Sequence, residues 1–197
     1  GLVQVDRDSH LKWATPINAN HDLTFLPDGT ILVLYHEYVE GRIEDHLAYV
    51  DGRTGKVKES FPLFPAFHDS MYRWLMPKEP EGDYLHTNSV LVLDDAWASE
   101  CSFGHAGDIL MSHNQPEILS LVDGKTRKVV WAMTGVSQGL HDPDLLPGCR
   151  IGFFDNRGGR VRGEEAPNSR VMIFDTKTLA LTVRYEDPGS FKSGSRG

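Results

Sequence analysis

The stretch His141-Asp-Pro-Asp-Leu-Leu-Pro-Gly-Cys-Arg-Ile-Gly-Phe-Phe-Asp-Asn156 carries the pattern from which the rest of the chain can be read. It begins with a histidine, continues as an alternating apolar run, turns at Pro147-Gly148 and returns as Ile151 to Phe154. That is the outline of two antiparallel strands joined by a tight turn, with an imidazole at the entrance to the first. The outline recurs at His21-Asp-Leu-Thr-Phe-Leu-Pro-Asp-Gly-Thr-Ile-Leu-Val-Leu34. A looser copy opens at His86-Thr-Asn-Ser-Val-Leu-Val-Leu93 and resumes, after an insertion, at Gly107-Asp-Ile-Leu-Met-Ser112. Three histidines therefore hold the same place in three repeats.

A second unit alternates with the first: Leu2-Val-Gln-Val-Asp6, Leu47-Ala-Tyr-Val-Asp-Gly-Arg-Thr54, Leu119-Ser-Leu-Val-Asp-Gly-Lys-Thr126 and Val171-Met-Ile-Phe-Asp-Thr-Lys-Thr178. Each apolar run ends at Asp, a polar turn follows, and a further apolar run returns: Leu11 to Ala14, Val57 to Phe61, Val129 to Met133, Leu179 to Tyr185. Asp and Gly supply the turn, through side-chain bonding to the backbone and tolerance of positive φ. Together the two units give four short strands per repeat with no amphipathic helical window between them. Self-similarity of this kind in an all-β chain predicts a β-propeller of four-stranded antiparallel blades, the first strand of each lining a central channel. The chain then reads as a single partial propeller domain over 1–197: a partial blade over 1–15, three blades over about 21–61, 86–133 and 141–185, and the start of another at 190–197. A sandwich is the alternative fold. The arc points to a fragment of a longer protein, and its open strand edges would favour self-association.

Composition narrows the partners. With 197 residues, 40% of them hydrophobic, the chain can build one sizeable core. A formal charge of −8 without a run of Lys or Arg argues against nucleic acid or an anionic membrane as partner. No apolar stretch approaches the ~20 residues of a membrane-spanning helix. Cys101 and Cys149 lack metal-site spacing; one bridge and two separate thiols are equally compatible with the sequence. Two insertions interrupt the repeats. Residues 62–82 are rich in proline and aromatics, and 94–106 lengthen a turn; such segments shape a pocket or cover a strand edge.

In a propeller the starts of the innermost strands converge on one end of the axis, so His21, His86 and His141 are expected to face one another there. Converging imidazoles can serve as nucleophile, general acid or anion-binding cation. The plain alternative is that each satisfies the open end of a strand. Asn88, two residues after His86, shares its face by the period-two rule and would orient it or a ligand; capping a strand end is the other reading. Asp22 and Asp142, each directly after a histidine, point away from the channel and hold backbone turns, and Asp155 and Asn156 close a strand. His10, His36, His46, His68 and His105 share no spacing and are expected to be exposed or in loops. Gly124-Lys125-Thr126 lacks the upstream glycine of a phosphate loop, since position 119 is Leu. Trp13 and Trp131 fall on fourth strands, where packing between blades accounts for them.

The ordered series Asn20-His21-Asp22, Asp83-Tyr-Leu-His86-Thr-Asn88-Ser89-Val90, Gly107-Asp-Ile-Leu-Met-Ser112, Ile118 to Trp131, Gly135, and His141-Asp142-Pro143, continued in Phe154-Asp155-Asn156, resembles the arylsulfotransferase family of β-propellers over most of the chain. The resemblance implies transfer of a sulfuryl group from a phenolic sulfate to a phenol, without a nucleotide sulfate donor; a phenol leaves well enough for an imidazole nucleophile, so no metal or cofactor is expected. By motif His141 corresponds to the nucleophile that carries a transient sulfohistidine. His21 and His86 correspond to histidines that bind the sulfuryl oxygens or exchange protons with donor and acceptor. The resemblance also implies export from the cytoplasm. One position departs. The family places an arginine after the serine that here precedes His113, in Ser112-His113-Asn114. His113, with Asn88 and Asn114, is then the expected substrate-binding set. An imidazole in place of a guanidinium gives one donor per nitrogen and a charge only when protonated. Loss of such a clamp weakens transition-state stabilisation by about 3 kcal/mol, roughly a hundredfold in rate. A slow or pH-sensitive enzyme, one with another substrate, and an inactive protein all fit that departure. Two other functions stay open: a propeller hydrolase with a channel metal, and a non-catalytic binding or assembly module.

Overall fold

Aspartate closes each outer hairpin in the same way. Asp6, Asp51, Asp123 and Asp175 each accept, through a side-chain oxygen, the backbone N–H two residues on. The turn is thereby fixed without help from the strands. The computed structural model describes residues 1–156 and 168–186. The segment 190–197, expected to start a further blade, lies outside the described residues.

The strands follow in chain order. A two-stranded sheet, β1 (Leu2–Val5) with β2 (Leu11–Thr15), comes first. The first full blade is β3 (Ala19–Phe25), β4 (Thr30–Val39), β5 (Arg42–Asp51) and β6 (Val57–Pro62). An insertion follows: α1 (Leu63–His68), a single 3-10 turn and β7 (Gly82–Asp83), which pairs in parallel with Arg42 and Ile43 of β5. The second blade is β8 (Thr87–Val92), then α2 (Asp95–Cys101), β9 (Ile109–His113), β10 (Ile118–Val122) and β11 (Val129–Thr134). The third is β12 (Leu140–Leu146), β13 (Arg150–Asp155), β14 (Arg170–Asp175) and β15 (Leu181–Glu186). Strands pair antiparallel in sequence order within each blade, and β8 packs between β3 and β12. The architecture is an all-β propeller arc.

The middle strands are apolar on both faces because each blade is covered on both sides. Leu32, Leu34 and Leu47 of the first blade meet Val90, Ile109 and Met111 of the second. Ile31, Val33, Ala48 and Val50, at the alternate positions, meet Trp13 of the partial blade. Leu110 and Leu121 turn the other way, onto Ile151, Phe153 and Phe174 of the third blade. Period two thus sorts one continuous apolar run between two interfaces. Trp13 donates from Nε1 to Gly52 O at 3.1 Å, and Trp131 stacks on Phe174 with centroids 5.5 Å apart, so both tryptophans join blades.

Both insertions act as straps. Leu63, Ala66 and Phe67 of α1 are buried between the first and second blades. Asp94 caps α2 by accepting from Trp97 N, and Trp97 Nε1 reaches Leu146 O of the third blade at 3.1 Å. At the end of that helix Cys101 is disulfide-bonded to Cys149, in the turn between β12 and β13. The bridge spans a sequence separation of 48 and ties the second blade to the third. Closing a loop of that size removes unfolded-state entropy worth about 2–4 kcal/mol. We predict that Cys101→Ser with Cys149→Ser lowers the unfolding free energy by about that amount, read by urea denaturation. Reductant should bring the native chain to the same value. A midpoint indifferent to both would refute the strap.

Candidate functional site

The three inner strands begin at one end of the arc, and at each beginning the ladder is interrupted. Register shifts fall between Ala19 and Leu23, between Thr87 and Ser89, and between His141 and Asp144. A non-glycine residue takes the left-handed conformation at each: His21 at φ 52°, His86 at φ 48° and Asp142 at φ 52°. Such a residue costs about 1–3 kcal/mol, and each repeat bears that cost at its histidine or at the residue directly after it.

The imidazole rings of His21 and His86 lie 4.9 Å apart, centroid to centroid. Burial pushes the His21 imidazole below its ordinary value, and the neighbouring His86 and, more weakly, His141 push the same way, while Asp45 and Asp83 oppose them. The three histidines therefore share one electrostatic neighbourhood. His86 is paired through Nδ1 with Asp83, which β7 brings to it. This bond holds the Asp83 carboxyl below the usual range.

His141 is oriented by the backbone. Its Nδ1 lies 2.9 Å from Gly139 O and 3.1 Å from Asn156 Nδ2. A ring nitrogen cannot donate to the first and accept from the second together. Asn156 Oδ1 is buried without a partner, and with the amide turned about it is this oxygen that would accept from a protonated Nδ1. With Nδ1 donating to Gly139 O, the neutral ring keeps its lone pair on Nε2. Gly139, at φ 85°, is held by the same contact, since a Cβ there would lie 3.0 Å from Asn156 Cβ and 3.6 Å from Asn114 Oδ1.

The second strands close the ring. His36, Asn114 and Asn156 occupy equivalent positions, each donating its backbone N–H to the start of its own inner strand: His36 to Asn18 O at 3.2 Å, Asn114 to His86 O at 3.0 Å, Asn156 to Gly139 O at 3.1 Å. His36 Nδ1 pairs with Asn20 Nδ2 at 2.9 Å, beside His21. Asn114 thus belongs to the site, between His86 and Gly139.

Two expected ligand-binding residues face elsewhere. Asn88 is turned into the blade interface, where Nδ2 donates to Leu140 O at 2.8 Å and Oδ1 accepts from Ser112. The bulge after Thr87 breaks the alternation that would have set it beside His86. His113 is completely buried. Its Nδ1 pairs with Thr87 Oγ1 at 2.9 Å, its Nε2 with Ser120 Oγ at 2.8 Å, and Phe67 packs against its ring. Burial lowers its pKa to about 3, so it is neutral and supplies no cation to the channel.

The repeat pattern singles out neither Asp83 nor Asp45. Asp83 opens the run that carries the family resemblance, three residues before a motif histidine, but the resemblance assigns it no role. Asp45 has no such signal. It lies buried in β5 and accepts the Thr87 N–H at 2.7 Å, one residue after His86; burial raises its carboxyl. His36 and His46, expected in loops, lie in β4 and β5, and His46 is buried. Asp22 holds the turn as expected through Leu23 N, and it also reaches across to accept Val90 N at 2.8 Å. The exposed His105 brings its ligand atoms within 4.8 Å of Asp108 and Asp123, but at the opposite end of the blade. Those carboxylates already accept backbone N–H groups of His105, Gly124, Lys125 and Thr126.

No family model and no curated protein sequence matches the chain. Among solved structures it is similar to the Dos1 propeller (14% identity, TM-score 0.51, over 94% of this chain and 42% of that one). It is similar also to the Neurospora crassa Pan2 WD40 domain (12%, TM-score 0.50, 93% and 45%) and to the RRP9 WD40 repeats (8%, TM-score 0.50, 92% and 43%). These likenesses establish the propeller fold. The chain spans less than half the length of each.

His113 gives the site region an acid sensitivity with a definite sign. Its folded pKa of about 3 lies below the unfolded value near 6.5. The unfolded chain therefore takes up the proton first, and stability is full above about pH 6.5 and falls as the pH drops. We predict that His113→Gln removes about 1.4 kcal/mol per pH unit from the acid-side slope of unfolding free energy, measured by urea denaturation between about pH 6 and 4.5. An unchanged slope would mean that the buried imidazole is protonated in the folded chain.

Proposed function

We propose that the chain carries the histidine cluster of a sulfuryl-transfer site, moving a sulfuryl group from a phenolic sulfate to a phenol. The observation that carries the reading is the placement of His141 Nδ1 2.9 Å from Gly139 O, which in the neutral ring puts the proton on Nδ1 and the attacking lone pair on Nε2. In the first step the Nε2 lone pair forms a bond to sulfur while the bond from sulfur to the phenolic oxygen breaks. The leaving phenoxide takes a proton from His86, whose imidazolium is matched to the Asp83 carboxylate. A phenol acceptor then returns that proton to His86 as its oxygen attacks the sulfur of sulfo-His141, restoring both histidines. In this reading His21, whose pKa partial burial and the neighbouring His86 lower, and the Asn114 side chain hydrogen-bond the sulfuryl oxygens, over which charge spreads in the transition state. A bridge between blades suits an oxidising compartment.

One observation favours a second reading, an anion-binding module without turnover. At the place where the resemblance sets an arginine, this chain has a neutral imidazole turned into the core. Incubation with 4-nitrophenyl sulfate and phenol separates the two. Release of 4-nitrophenol is expected, reduced at least about a thousandfold by His141→Ala and indifferent to chelators. Turnover that survives His141→Ala sinks the proposal. Absent turnover with retained sulfate binding establishes the second reading.

A further inference from the structure

The first blade rises well past the histidines, further than the second and further than the described residues of the third. Strands β4 and β5 each run for ten residues, whereas β9 and β10 have five and β13 and β14 six. By equivalence of the second strands, His36 stands where Asn114 and Asn156 end theirs, so everything in the hairpin beyond the His36–Asp45 pair rises above the site. The pairs on one face of this extension are His36 with Asp45 and Tyr38 with Ile43. That face is turned toward the histidines, because Asp45 accepts Thr87 N next to His86 and His36 bonds Asn20 next to His21. Tyr38 stands one step further out, about 7 Å along the strand from His36. Its ring meets the His36 ring edge-on at 5.2 Å and 87°, yet the residue is 73% exposed. The Arg42–Ile43 segment beneath is braced by β7.

We propose that Tyr38 is the aryl platform of the site: the ring of a phenolic ligand stacks on it while the oxygen or sulfuryl end reaches the histidines. The distance from His36 to Tyr38 is comparable to the length of an aryl group, and the exposed face of a tyrosine attracts an aromatic ring at no cost in buried polar groups. The braced strands hold the ring over the mouth, so little order is lost on binding. Tyr38 is a specificity residue, and the inference rests on the sulfuryl-transfer reading for the identity of the ligand.

The test needs no turnover. Binding of 4-nitrophenol to the full chain is followed by absorbance difference, with inorganic sulfate titrated separately by NMR. Tyr38→Ala is expected to weaken 4-nitrophenol about tenfold, Tyr38→Phe to stay within about twofold, and neither to change sulfate affinity. Equal 4-nitrophenol affinity in Tyr38→Ala and the native chain, or no binding by the native chain, overturns the platform. Tyr38-dependent binding without sulfuryl transfer keeps the platform and removes the sulfuryl-transfer reading.

Discussion

An inner propeller strand has one edge with no strand beside it, and its backbone groups there must be satisfied by side chains from the neighbouring blades. In this chain β8 meets the requirement through two carboxylates of the first blade: Asp45 takes Thr87 N and Asp22 takes Val90 N. Asn88, on β8 itself, passes the link on by donating to Leu140 O, one residue before His141. Each buried backbone group left unmet would cost about 1–3 kcal/mol, which is enough to slide one blade against the next. Burial raises both carboxyls, and the backbone N–H groups they accept act against that rise, so the ionised forms are held by the contacts they make. These bonds join the blades within one to four residues of the three histidines. The site is as rigid as its seams.

Seen from these seams, the difference between Asn88 and Asn114 has a simple cause. The two share a residue type and flank the same histidine. Asn88 follows a bulge and a left-handed residue, so it turns outward to the next blade. Asn114 ends a regular strand whose last N–H donates to His86 O, so it stays at the mouth. His113, one residue earlier on that strand, takes the opposite face and enters the core.

The blade pattern was legible because it depends on local signals: Asp turns, apolar runs and the position of a histidine at three strand entrances. The convergence of those entrances follows from the fold, and the contact between His21 and His86 agrees with it. The partners of the histidines were less legible, because they come from other strands and other blades. Asp83 reaches His86 only because the first blade has a long hairpin against which β7 pairs. Asp45 acts across an interface through a backbone amide, which leaves no trace in residue spacing. The period-two rule failed at Asn88 for the same reason that the site exists, since a bulge that lifts a histidine off the pleat also reverses the facing of the next residues on the strand. The disulfide was undecidable from spacing alone because its two cysteines sit in separate blades.

Charge decides where an anion can rest. Below the histidines along the inner strands stand Asp22, Asp142 and Asp144. Burial first, and then the other carboxylates, raises Asp144, and Asp142 adds to the effect of burial on Asp22. An oxyanion moving down the channel would meet that repulsion, while at the mouth it meets ring N–H groups and the His86–Asp83 pair. On the proposed sulfuryl-transfer reading, with His113 neutral inside the core, the proton held between His86 and Asp83 is what would offset the charge of a sulfuryl group. On that reading the strap, by holding Asp83 against His86, would favour a protonated His86 where another site has a fixed guanidinium. The proton on His86 could then leave with the phenol and return, where a guanidinium would keep its charge throughout.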